Sequence, residues 1–179
     1  MSGRSTVVSS ELFEYIAART RAEDPFLVEL KEAASEAGIP AIWIAPEQGA
    51  FMELLLRAAG ARVVVEVGTL AGYSAICMAR ALGEEGRLIT MEVSARHAAF
   101  AKEWIGNSDV AGRVEVRQGR AVDLLPKLQS ASVDAVFLDA DKPSYVLYLE
   151  QARRILRPGG SLVGASALAS GPVSGGGDR

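Results

Sequence analysis

VVVEVGTLAGYSAICMA, residues 63 to 79, is the stretch from which the rest of the chain can be read. It opens with four β-branched residues, Val63, Val64, Val65 and Val67, a density expected of a strand covered on both faces in a parallel sheet. Gly68 and Gly72 then bracket a loop, and Tyr73 to Ala81 continues with small and apolar residues at helical spacing. Strand, glycine loop and helix in that order put the free N–H groups of a first helical turn beside a loop that a ligand can approach closely. That is the layout of a nucleotide-type site.

The dinucleotide pattern G-x-G-x-x-G is absent, because Thr69, Leu70 and Ala71 fill the positions between the two glycines. An acidic residue, Glu66, stands two places before Gly68 instead. A carboxylate at a strand's C-terminal end repels a pyrophosphate but can accept hydrogen bonds from an ammonium group or suit a cationic ligand. The pattern E-x-G-x-x-x-G therefore points to S-adenosylmethionine, which carries an amino group and a sulfonium and no phosphate. A plain βα turn is the competing reading, and an NAD-linked dehydrogenase is disfavoured.

At 179 residues the chain suits one domain, 1–179. Within it, 1–60 reads as a helical cover, 61–166 as a Rossmann-like core and 167–179 as a Gly/Ser-rich tail without regular structure. A net charge of -3 leaves no basic footprint, so no nucleic-acid partner is expected. The single cysteine, Cys77, falls inside the helix after the glycine loop, where a small buried residue belongs. A disulfide framework is excluded, and a reducing cytoplasm fits. No signal peptide is visible, and no apolar run approaches the roughly 18 residues that span a bilayer, so no membrane partner is expected.

Helices are expected from Ser10, as a cap with Leu12, Phe13 and Ile16 on the apolar side, from Pro25 to Ala37, and from Pro46 to Ala59. Strand candidates then begin near Val63, Arg87, Arg113, Val133 and Ser161, with helical segments between them. Such intervals are those of βαβ units, which predicts an α/β, Rossmann-like fold with a mostly parallel sheet and helices on both faces. The second strand ends at Glu92, where this topology faces a ribose and a carboxylate can accept from both hydroxyls. A helix-N-terminal acid is the alternative for Glu92. His97, the only histidine, lies in the next helix, which excludes a His-based metal site. Asp123 reads most simply as a cap of the short helix before Pro126. The fourth strand runs into Asp139-Ala140-Asp141-Lys142, and two carboxylates with an ammonium at a ligand-facing strand end are costly to bury unless they pair with one another or with a ligand.

In order along the chain, PEQGAF at 46–51, EVGTLAGYS at 66–74, Glu92, G-x-A-x-D-x-L-P at 119–126, DADK at 139–142 and RPGG at 157–160 resemble the small class I, S-adenosylmethionine-dependent O-methyltransferases related to catechol and caffeoyl-CoA O-methyltransferases. The resemblance runs from about Ile39 to Val173. It implies that Ile44, Glu66, Gly68, Thr69, Ser74, Glu92, Ala121, Asp139 and Asp141 lie at the cofactor, with Asp141 at the adenosine end. It implies that Asp139 is a divalent-metal ligand and that Lys142 stands near the acceptor hydroxyl, so that Asp139 and Lys142 are the candidate catalytic pair. Its expected partners are Mg²⁺, a small hydroxylated aromatic acceptor and a second copy of the chain in a homodimer. Two departures stand out. Where the family has Asp-Asn at the end of the fifth strand, this chain has Ala165 and Ser166, and where the family continues into a further antiparallel strand pair, this chain ends at Arg179. The expectation is therefore a methyltransferase with a depleted metal site and without the C-terminal strand pair, its alternative being a non-catalytic protein that binds S-adenosylmethionine.

Overall fold

The computed structural model describes residues 9–165. The expectations for 1–8, for Ser166 and the tail, and for the side chain of Lys142 lie outside the described residues. Seven α-helices occur among those described: α1 (Ser10–Ala17), α2 (Pro25–Glu36), α3 (Pro46–Ala58), α4 (Tyr73–Ala81), α5 (Ala95–Gly106), α6 (Ala121–Leu124) and α7 (Tyr145–Ile155). Five strands, β1 (Val63–Val67), β2 (Arg87–Glu92), β3 (Val114–Gln118), β4 (Val133–Leu138) and β5 (Leu156–Gly164), form one sheet in the order β3-β2-β1-β4-β5. Every neighbouring pair is parallel. The chain winds outward from β1 to β3, then returns to place β4 on the other side of β1. This reversal opens a crevice beyond the C-terminal ends of β1 and β4, where ligands bind in such sheets.

The period of two along β1 divides its side chains between two apolar layers. Val64 packs with residues of α2 to α5, whereas Val65 and Val67 pack with Ala121 of α6 and with Tyr148, Ala152 and Ile155 of α7. Glu66 has the parity of Val64, so its carboxylate points to the α4 layer. Asp134 secures the opposite end of the sheet. Its Oδ2 accepts from the N–H groups of Arg62 (2.6 Å) and Val63 (2.8 Å), while Oδ1 meets Arg157 Nε at 2.5 Å. One carboxylate thus ties the starts of β1, β4 and β5 together.

Several local expectations are corrected. Ser9, not Ser10, caps α1, accepting from Leu12 N–H at 3.4 Å, and the apolar side of α1 stays exposed, with Phe13 60 % accessible. Asp123 caps nothing: it sits inside α6, while Arg120 holds the N-cap position without a side-chain bond. β5 begins at Leu156, and the register jumps from Val133↔Leu156 to Ala135↔Ser161, so the RPGG segment bulges out of the ladder. Pro158 has no N–H to give a partner strand and Gly159 takes φ +83°, so a bulge there suits both residues. α2 starts as read, with Asp24 Oδ1 accepting from Leu27 N–H, and ends before Gly38 at φ +67°.

Candidate active site

The glycine loop is shaped by what stands next to it. Gly68 adopts φ +102°, and a Cβ there would lie 2.0 Å from the Asp139 carbonyl oxygen. Only glycine lets the ends of β1 and β4 come this close. Leu70, a residue with a side chain, also takes a positive φ, 51°, and its N–H donates to Glu92 Oε2 at 2.8 Å. The strain of a left-handed residue is thereby offset by a charge-assisted hydrogen bond across the site. Gly72, at φ +93°, closes the loop as the N-cap of α4.

Four carboxylates gather around this loop in different environments. Glu66 is fully buried; Ser74 Oγ donates to its Oε1 at 2.5 Å and Thr90 Oγ1 to its Oε2 at 2.6 Å. Thr69 Oγ1 lies 2.5 Å from Thr90 Oγ1 and extends the chain of hydroxyls. Burial pushes the Glu66 carboxyl up to about 8, the two hydroxyls acting the other way and the charges of Asp139 and Glu92 adding to the rise. Glu92 is pinned by backbone alone, Oε2 by Leu70 N–H and Oε1 by Ser94 N–H (2.9 Å). Burial also holds Asp139 above the usual carboxylate range. Asp141 is lowered instead, first by the Ser144 side chain and then by Tyr148, whose hydroxyl donates to Oδ1 (2.6 Å), with the Ser144 N–H donating to Oδ2 (3.1 Å) as a lesser cause. Among the described residues no lysine or arginine pairs with any of the four.

These groups surround a cleft of about 450 Å³ at the switch point of the sheet. Ile44, Gly68, Thr69, Ser74, Glu92, Ala121, Asp139 and Asp141, singled out from sequence, all line it. Glu66 does not; it lies beneath the floor and reaches the cleft through Ser74. Sequence reasoning missed His97 and Tyr148, which line the cleft as well. Tyr148 stands on the first turn of α7, seven residues after Asp141, and that spacing was the available signal. His97 follows Glu92 by five residues and stands on the first turn of α5, so its direction depends on how α5 leaves the sheet.

The end of β5 bears on the expected metal. Ala165 N–H donates to Leu138 O at 2.9 Å, and the Tyr145 hydroxyl lies 3.0 Å from Leu138 O and 3.2 Å from Ala165 O. The strand end is thus laced to β4 beside Asp139, with a methyl group as its side chain at 165. No group of three or more His, Cys, Asp or Glu residues suited to a metal ion occurs among the described residues. One half-buried carboxylate does not fit a hard divalent cation, which takes six or more oxygens, so no chemical step is derived through Mg²⁺.

A fold of this order, with an acidic residue ending β1 before the glycine loop and another ending β2, has clear counterparts. The O-methyltransferase family profile matches residues 17–178. The chain belongs to the O-methyltransferase family. The enzyme is 40% identical over 173 residues to a catechol O-methyltransferase of Niastella koreensis, a match covering 93% of this chain and 78% of that one. It is similar to the O-methyltransferase of Bacillus cereus, solved in complex with SAH, at 37% identity and TM-score 0.81, covering 86% of this chain and 71% of that chain. An O-methyltransferase of Streptomyces achromogenes, solved with SAM, superposes with TM-score 0.80 at 36% identity, covering 86% and 70%. No helix of the described residues is long and apolar enough to cross a membrane.

Proposed function

We propose that this O-methyltransferase takes its methyl group from S-adenosylmethionine and delivers it to a hydroxyl of a small catechol- or phenylpropanoid-like acceptor. The observation that carries the reading is Glu92: a carboxylate at the cleft, oriented by two backbone N–H groups, with no lysine or arginine partner among the described residues. It keeps free lone pairs for a diol, and the carboxylates around it, which have no lysine or arginine partner among the described residues, favour a cationic ligand over a pyrophosphate.

When bound, S-adenosylmethionine supplies an electrophilic methyl on a sulfonium, whose sulfur leaves as a neutral thioether as the C–O bond forms. Glu92 holds the ribose, and Asp141, kept ionised by Ser144 and Tyr148, faces the adenosine end. Ser74 and Thr69 line the loop side, with Glu66 accepting from Ser74 below, while Ile44 and Ala121 supply apolar walls. Asp139, with a carboxyl raised by burial, is suited to receive the acceptor's proton as its oxygen attacks. A phenol ordinarily titrates at about 10, so this transfer must accompany attack or precede it briefly. Lys142 follows in sequence and is proposed beside the same hydroxyl. Ala165 favours a second reading, a donor-binding protein without turnover.

Calorimetric titration with S-adenosylmethionine and with NAD, followed by a catechol methylation assay, separates these readings. Binding of the sulfonium ligand alone, with methylated product, is expected. Binding without product would favour the second reading, and NAD binding would remove both. Glu92→Ala should weaken donor binding by about 1.5–3 kcal/mol.

A further inference from the structure

The geometry points to His97 as a second grip on the ribose, one hydroxyl bridging its Nδ1 and the carboxylate of Glu92. The inference rests on the proposed placing of Glu92 at the ribose. Both oxygens of Glu92 are held by main-chain donors, Leu70 N–H and Ser94 N–H, so the carboxylate is fixed before any ligand arrives. The only histidine of the chain follows on the first turn of α5, its N–H capped by Ser94 Oγ at 3.3 Å. Ser94 therefore touches both partners, through its N–H to Glu92 and its hydroxyl to His97.

His97 lines the cleft with a side chain 22% exposed, and its Nδ1 lies 3.9 Å from Glu92 Oε1. That separation is too long for a direct hydrogen bond and matches a gap for one shared oxygen. An oxygen about 2.8 Å from each atom would subtend an angle of roughly 90° between them, within the range that hydroxyls tolerate. With its proton on Nδ1 the imidazole donates, and Glu92 only accepts. A hydroxyl satisfies both, donating to the carboxylate and accepting from the ring. A phosphate oxygen cannot donate to Glu92, so the pair also selects a free diol over a phosphorylated ribose.

The test is calorimetric titration of the full chain and its His97→Ala, His97→Phe and His97→Gln variants. The ligands are S-adenosylhomocysteine and its 2′-deoxy and 3′-deoxy counterparts. His97→Ala is expected to weaken binding of S-adenosylhomocysteine by about three- to tenfold, with part of the loss recovered by the amide donor of His97→Gln. The loss should fall below about twofold for the one deoxy ligand that lacks the bridging hydroxyl. His97→Phe keeps ring bulk without a donor and carries the same expectation should the alanine variant fail to fold. Unchanged affinity in the donor-less variants would overturn the inference. So would an equal loss on all three ligands, which marks a packing effect. Failure of the unmodified chain to bind S-adenosylhomocysteine would instead remove the placing of Glu92, and this inference with it.

Discussion

A buried acid with only hydroxyls for company makes a pH-dependent molecule. Glu66 titrates ordinarily at 4.5 and in the folded chain at about 8, because burial penalises its charged form more than Ser74 and Thr90 relieve it. Between those values the folded chain holds a proton that the unfolded chain has released, so stability falls as pH rises through the window. Glu66→Gln, which cannot ionise, should flatten that slope and raise stability near pH 8 by on the order of 1–2 kcal/mol, about 2–8 °C in Tm. Thermal unfolding of the ligand-free chain at about pH 5.5 and about pH 8 decides it; parallel pH dependences in variant and parent would sink the idea. Asp139 and Ala165 carry a second expectation. With a methyl at 165, millimolar Mg²⁺ should change neither S-adenosylhomocysteine affinity nor methylation rate, and Ala165→Asp with Ser166→Asn should create Mg²⁺ binding measurable by calorimetry. Metal-stimulated methylation by the unmodified chain would contradict the first half of this.

At the scale of the element, the loop after β1 is a contact surface as much as a turn. Gly68→Ala would drive a methyl into the Asp139 carbonyl, at 2.0 Å, from a backbone angle that alanine rarely adopts. β1 and β4 would have to part at their C-terminal ends, at a cost of about 2–4 kcal/mol, and donor affinity should fall with stability. Gly60, at φ +60° with nothing within 4 Å of an added Cβ, isolates the backbone contribution. Gly60→Ala should cost only about 1 kcal/mol and leave binding intact. Urea unfolding of both variants separates crowding from backbone preference, and equal costs would refute the crowding account.

At the scale of the whole molecule, the sheet has an uneven pair of edges. Among the described residues β5 borders β4 alone, and its Leu162 is 43% exposed. No described strand pairs with the outer edge of β5, and a strand edge of this kind with an accessible leucine favours pairing with another copy. Self-association that grows with protein concentration is the expected outcome, as is the homodimer that the family resemblance implies. Light scattering across a concentration series checks it, and a monomer at every concentration would count against it.

Much of the molecule was legible in residue order because its signals are local. β-branched runs at βαβ intervals dictate parallel strands, glycines at 68 and 72 mark the loop, and the acids at 66 and 92 fall near the ends of β1 and β2, Glu92 alone of the two reaching the cleft. Asp139 and Asp141 were legible for the same reason, since two adjacent strand-end carboxylates must answer to something. What depended on distance in space was not legible. Asp134 gathers the starts of three strands across more than seventy residues of sequence. Glu66 turns its carboxylate under the cleft floor to meet Ser74 and Thr90, because strand parity sets its face and only the winding of the sheet says which helix lies there. His97 becomes a partner for Glu92 only once α5 leaves β2 at its actual angle. Sequence alone determined which groups are present and on which elements; tertiary structure decided which of them meet, because hydrogen bonds and charges act over a few ångströms of space and not along the chain.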